Sequence, residues 1–304
     1  MIADGTKKRL DTLARDIRLY DLKMSFSAGK NGSHLGGSLS AAEIMAALYG
    51  GVLNFDPNDP ASPKRDRFIL SKGHTAAVLY AALRAVGVLT DEDIASYNMN
   101  GTEYPSHCIK NINKGIELSS GSLGLGAGYA AGLGLAFKKQ NNPAHIFVLM
   151  GDGECAEGSV WEALTAIPAL GLDNITVIID KNRLQLDGET IKVLDTGDLS
   201  AKLTAFGWDA AEADGHDVSA LCEALAPDAS RTKPRAVIAH TVKGKGVSFM
   251  ENNYKYHHAS ITEEQYNAAV AEITGAADNA EPAADNAEPA ADKAEPAADK
   301  GAAE

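Results

Sequence analysis

Cysteine is scarce. Cys108, Cys155 and Cys222 are the only three in 304 residues, they lie far apart, and none belongs to a C-x-x-C pair. That excludes a disulfide framework and a zinc ribbon, and makes a reducing cytoplasm the expected compartment. Long apolar runs are missing as well. Residues 118–137 are uncharged, yet six of them are glycine and several others are polar, so no membrane span is expected there; Met1 to Thr6 carries no apolar signal core. Excess positive charge is absent too. The formal net charge of −13 argues against a nucleic-acid backbone as partner. Residues 274–304 account for −6 of it and repeat Ala-Ala-Asp-Asn/Lys-Ala-Glu-Pro, with Pro282, Pro289 and Pro296 at seven-residue intervals. Proline in each repeat excludes a coiled coil, so residues 274–304 are expected to be a disordered acidic tail. The rest is globular in composition, 45% hydrophobic and 23% charged overall. Residues 1–273 are expected to fold as one α/β domain.

The chemistry concentrates between His145 and Leu184. Two short, partly β-branched apolar runs, Ile146 to Met150 and Ile175 to Ile179, read as parallel strands buried on both faces. Val160 to Leu170 between them reads as a helix, so the stretch is one βαβ unit. Asp152 and Asn182 then emerge just past the carboxyl ends of neighbouring strands, where open α/β sheets place ligands. A carboxylate and a side-chain amide are hard oxygen donors that suit Mg²⁺ or Ca²⁺ holding a diphosphate. Gly151 and Gly153 leave room for phosphate to reach backbone N–H groups.

Elsewhere the chain alternates helices and strands. Lys7 to Ala28 reads as an amphipathic helix, followed by a glycine-rich loop bearing His34. Ser40 and Glu43 have capping-box spacing, which predicts a helix from about Ala41 to Gly50-Gly51. Taken alone, a loop histidine such as His34 is more often a solvated group. Phe68 to Leu70 reads as a strand and Thr75 to Val86 as a helix, which leaves His74 at a helix N-terminus suited to an anion, or merely packed in the turn. Asn98 to Ile116 is irregular and contains His107. Gly124, Gly128 and Gly132 recur every four residues, which predicts a helix face closely approached by another helix, within the domain or across a subunit interface, the alternative being a poorly formed glycine loop. Leu199 to Phe206 and Val218 to Leu225 read as helices, Trp208 to Ala213 and Ala236 to His240 as strands. Together these predict a doubly wound, mostly parallel sheet with helices on both faces. Lys243 and Lys245, past the last strand, are either phosphate contacts or solvated, and His257-His258 follow.

Five ordered segments carry a resemblance: Ser33-His-Leu-Gly-Gly-Ser, Leu70-Ser-Lys-Gly-His, Ser119-Ser-Gly-Ser-Leu-Gly, Gly151-Asp-Gly through Asn182, and Tyr256-His257. Over nearly all of residues 7–266 the chain resembles the N-terminal half of transketolase, the half that binds the diphosphate of thiamine diphosphate. The resemblance implies the thiamine diphosphate-binding fold of the diphosphate type. It implies that Asp152, Asn182 and the backbone carbonyl of Leu184 bind Mg²⁺ (or Ca²⁺). Gly151, Gly153 and His74 would meet the diphosphate, while Gly121 and Leu123 line the cofactor cleft. His34, His107 and His257 would face substrate hydroxyls and the developing alkoxide, with His257 also near the diphosphate. Glu157 matches an acidic residue of the family's subunit interface.

The resemblance has two local departures and one large one. Cys108 follows His107 where the family usually has proline, and His258 follows His257 where it usually has glycine. The family's pyrimidine-binding domain, source of the glutamate that activates the cofactor, finds no counterpart in these residues. As in split transketolases, a C-terminal subunit is expected to supply it, in an α2β2 assembly that transfers a two-carbon ketol unit between sugars or sugar phosphates. The alternatives are the α chain of a 2-oxo acid dehydrogenase, a deoxyxylulose phosphate synthase, or a non-catalytic nucleotide-binding regulatory subunit.

Overall fold

Strand residues alternate between two apolar cores, which is why their runs are continuously hydrophobic. In the computed structural model, which describes residues 2–228 and 230–275, Phe68, Leu70, Phe147 and Leu149 point into one core. Ile69, Ile146, Val148 and Met150 point into the other. Both faces of the sheet are therefore covered, as a parallel sheet requires.

The chain begins with the helix Asp4–Ser27 (α1), then the short helices Leu35–Leu39 (α2) and Ala42–Ala47 (α3). Strand Arg67–Leu70 (β1) leads to helices Ala76–Ala85 (α4) and Asp91–Ala95 (α5). After an irregular stretch come Gly126–Lys139 (α6), strand Ile146–Gly151 (β2), helix Gly158–Ala169 (α7) and strand Ile175–Lys181 (β3). The expected polar excursion forms a small antiparallel hairpin, Leu184–Gln185 (β4) with Gly188–Glu189 (β5), then a turn of helix Thr190–Val193 (α8). Helix Leu199–Phe206 (α9), strand Asp209–Asp214 (β6), helix Val218–Leu225 (α10), strand Arg235–His240 (β7) and helix Glu263–Thr274 (α11) complete the described residues. Local chemistry sets several ends. Asp198 and Asp217 cap α9 and α10, and Thr262 with Gln265 forms a capping box on α11. The expected acidic tail lies outside the described residues from 276 onward.

Five strands pair in the order β1-β2-β3-β7-β6, all parallel. The expected doubly wound sheet is thus present. A third, smaller core of Leu22, Leu35, Leu39, Val247, Met250, Ile261 and Ala269 packs the segment after β7 against α1 and α2. That packing carries Tyr256 to His258 back over the amino end of α2, beside His34.

Two expectations are corrected. Ser40 and Glu43 form no capping box, because α3 begins at Ala42 after Ala41 with no side-chain cap. Distant partners outcompete the local bond. Ser40 Oγ donates to Asp180 Oδ2 at 2.6 Å, and Glu43 takes Arg18 and His216. Gly124 does not belong to a helix face with Gly128 and Gly132. It sits in a turn before α6 with φ +82°, where a Cβ would stand 2.4 Å from Ser159 Oγ. Gly128 and Gly132 face open space, whereas the neighbouring Gly126 and Gly134 meet Ser71 and Ile175.

Candidate active site

Four parallel strands deliver their carboxyl ends to one place. Beyond β1 come Lys72 and His74, beyond β2 Asp152 and Gly153, beyond β3 Asn182, and beyond β7 Lys243. With Gly121, Leu123, Gly151, Glu157, Leu184 and His257 they line a cleft of about 350 Å³. Such a crevice at the carboxyl edge is where a doubly wound sheet binds its ligand.

One end of the cleft is rich in oxygen. Asp152 is buried, with Oδ1 accepting from Gly153 N at 2.9 Å and Oδ2 from Arg183 N at 2.7 Å. Burial, and next the charge of Asp180, push its carboxyl up to about 6. A cation beside it would remove that penalty. Asn182 donates through Nδ2 to Asp180 at 3.1 Å and accepts at Oδ1 from Leu184 N at 3.1 Å. Among the described residues no three His, Cys, Asp or Glu side chains converge as a metal cluster. The oxygens present are one carboxylate, one amide and one backbone carbonyl, a sparse hard set that leaves coordination positions to a ligand such as a diphosphate.

Asp180 organises this end from beneath. It is fully buried and accepts from Lys72, Ser40, Thr241 and Asn182. Burial pushes its carboxyl up, but the Lys72 ammonium and these bonds outweigh it and hold the group below the usual range. Lys72 also donates to Gly37 O at 2.9 Å. Lys243 reaches Leu184 O at 3.1 Å and His257 Nδ1 at 3.0 Å, while Lys245 turns away to Glu251. Gly36 makes this possible, since a Cβ there would press on Lys243 Cγ and Tyr256 O at 3.0 Å.

The other end is a cluster of imidazoles. The ring of His34 lies 5.2 Å from that of His74 and 5.4 Å from those of His107 and His257, centroid to centroid. His74 and His257 stack at 5.2 Å. Burial first, and then neighbouring imidazoles and Lys243, push His34 down to about 3; burial and Lys243 push His257 down to about 4. Burial and Lys72 hold His74 well below the ordinary value. These rings are neutral near pH 7, so each offers one N–H donor and one lone pair. His34 Nδ1 is buried without a partner, which marks it as poised for a ligand.

The transketolase thiamine diphosphate-binding domain family matches residues 11–285. The chain belongs to the transketolase family. It is 41% identical over 248 residues to the 6-deoxy-6-sulfo-D-fructose transketolase subunit SqwG of Clostridium sp. (strain MSTE9), covering 81% of this chain and 90% of that protein. It is 40% identical over 242 residues to an apulose-4-phosphate transketolase subunit from Actinobacillus succinogenes, covering 80% and 88%. Among solved structures, transketolase from Leishmania mexicana superposes with a TM-score of 0.81 at 29% identity, covering 87% of this chain but only 41% of that one. The chain thus spans nearly all of two relatives named as transketolase subunits and less than half of the Leishmania mexicana transketolase chain.

The transketolase resemblance grouped twelve residues, and the structure brings them together. Ten line the cleft, while His34 and His107 join through ring contacts with its histidines. Glu157 is exposed at the start of α7 and lines the cleft there. Sequence reasoning missed Lys72, Asp180 and Glu154. Glu154 is buried, accepting from Ser71 Oγ, from Gly124 N at 2.8 Å and from Gly151 N at 3.2 Å, so it ties three loops of the site together. The available signal was a charged residue set in or beside an otherwise apolar strand end, as Asp180 is after Ile175 to Ile179.

Proposed function

We propose that the chain is the N-terminal subunit of a two-subunit transketolase, transferring a two-carbon ketol group from a ketose or its phosphate to an aldose or its phosphate. The observation that carries this reading is the meeting, in and beside one cleft, of a hard-oxygen end and four neutral imidazoles. Asp152, Asn182 and the Leu184 carbonyl would hold Mg²⁺, with Ca²⁺ as the chemically similar substitute. Gly151, Gly153 and His74 would meet the diphosphate of thiamine diphosphate, with His257 close by, and Gly121 and Leu123 would line its cleft. The unpartnered His34 Nδ1 and the sparse donor set fit such a ligand. The chemistry this group supplies when bound is reversible carbon–carbon cleavage beside a carbonyl.

The chain's own residues handle protons and oxyanions. His34, His107 and His257 donate to the sugar hydroxyls and to the oxygen that gains charge as the carbon–carbon bond breaks, and can return the proton. Water must be excluded while this happens. Glu157 and Leu186 of the cleft lining are exposed, and a C-terminal subunit carrying the pyrimidine-binding domain would cover them, contributing the remaining catalytic carboxylate, in an α2β2 assembly. Relatives bearing the names of transketolase subunits support that division of labour.

Among the described residues no helix is long and apolar enough to cross a membrane. The three cysteines are free, which supports a reducing, cytoplasmic setting. The family match favours ketol transfer over the 2-oxo acid dehydrogenase, deoxyxylulose phosphate synthase and regulatory alternatives. The deciding experiment mixes the chain and its C-terminal partner with Mg²⁺ and thiamine diphosphate. Transfer between a ketose and an aldose is expected; 2-oxo acid decarboxylation without transfer would overturn the reading.

A further inference from the structure

The imidazole nearest His34 belongs to none of the roles above. The ring of His258 meets that of His34 edge to face, with centroids 4.5 Å apart and an interplanar angle of 70°. Backbone pairing sets this contact. Ser33 and Ala259 form an isolated antiparallel bridge, each N–H donating to the other's carbonyl at 3.0 Å. The residues beside the bridge, His34 and His258, are thereby brought side by side. Gly32 leaves the space, for it has φ +65° and a Cβ there would come within 3.0 Å of His258 Cε1.

Position separates His258 from the two rings that line the cleft. His74 and His257 line the cleft, whereas His258 is exposed and stands outside that lining. It is close enough to His107 and to His34 that its charge disfavours protonation of both. Among the described residues neither of its ring nitrogens has a hydrogen-bond partner. A held ring with two free nitrogens, on the exposed side of the imidazoles gathered around His34, has the properties of a recognition element. A surface histidine without function would have no need of the bridge and the glycine that hold it there.

We propose that His258 is a specificity-determining residue, whose imidazole hydrogen-bonds hydroxyls on the distal carbons of the sugar and so selects polyhydroxylated substrates over short aldehydes. The inference rests on the ketol-transfer reading and deepens it. A substrate whose reacting carbons lie at His34 and His257 extends outward past His258. Two unpartnered ring nitrogens match adjacent hydroxyls, and a site built to bond hydroxyls discriminates against molecules that lack them.

The test compares wild type, His258→Ala and His258→Asn, each reconstituted with the C-terminal partner, on acceptor aldehydes from glycolaldehyde to a pentose. His258→Ala is expected to lower kcat/KM for the longer acceptors by about tenfold, mainly through KM, with glycolaldehyde unaffected and asparagine restoring part of the loss. An equal loss for every acceptor, or none for any, would overturn the proposal, the first by showing a merely structural role. Wild type that transfers ketol to no acceptor would instead overturn the reading beneath it.

Discussion

The ammonium of Lys243 donates to the carbonyl oxygen of Leu184 at 3.1 Å. That oxygen is one of the three proposed to hold Mg²⁺, so on that proposal Lys243 stands where metal and diphosphate would meet. Burial, and then Lys72, push its ammonium down to about 8. A buried cation here favours an anionic ligand. Replacing Lys243 by methionine keeps the stem and removes the charge. Affinity for thiamine diphosphate, measured by calorimetry with Mg²⁺ and the partner subunit present, should fall about ten- to a hundredfold. An unchanged affinity would show that Lys243 does not face the diphosphate.

Asp152 both orders its loop and offers charge. Asp152→Asn keeps an acceptor for one of the two N–H groups, Gly153 or Arg183, and sets its NH2 against the other, a local loss of about 1–3 kcal/mol that should leave the fold intact, as circular dichroism would show. Binding of thiamine diphosphate should lose its dependence on Mg²⁺ and weaken by at least about tenfold, since one charged ligand oxygen is gone. Retained metal-dependent affinity would place the metal elsewhere.

Asp21 gives a pH dependence of stability away from the site. Its carboxyl is fully buried beneath α2, Oδ2 has no partner, and burial pushes it up to about 8 from an ordinary 3.8. Below the ordinary value both folded and unfolded chains hold the proton, and the contribution is complete. Between that value and about 8 only the folded chain keeps it, so stability falls as pH rises. Asp21→Asn should remove this slope and stabilise the protein at pH 8 by on the order of a few kcal/mol. Urea unfolding at several pH values checks it; the same slope in the variant would refute it.

Glycines in and beside α6 should respond oppositely to alanine. Gly128 is exposed with open space around it, so Gly128→Ala should stabilise the isolated chain by about 0.5–1 kcal/mol. Gly124→Ala meets Ser159 Oγ at 2.4 Å with φ +82° and should destabilise it by about 1–3 kcal/mol. Thermal unfolding of the two variants separates these outcomes.

What was legible in the sequence was what depends on neighbours along the chain. Ile146 to Met150 and Ile175 to Ile179 stand out because a strand buried on both faces must be apolar throughout, and Asp152 and Asn182 follow from where those strands end. Contacts between distant segments were not legible. Ser40 and Glu43 have capping-box spacing, but Asp180, Arg18 and His216 bind them more strongly from other elements. The histidines come from four separate loops, and each alone resembles a solvated residue. The resemblance to transketolase grouped four of them where local pattern could not, and the closure of the segment after β7 over α2 brings His257 and His258 to the rest. The Lys72–Asp180 pair joins residues 108 positions apart, which no local pattern foretells.

The central claim is that this chain holds one part of an active site completed by another chain. Titrating it with the C-terminal subunit, in excess Mg²⁺ and thiamine diphosphate, and following ketol transfer from a ketose to an aldose tests that most directly. The account predicts no transfer without the partner and activity that saturates at equimolar subunits. Full ketol transfer by this chain alone would contradict it.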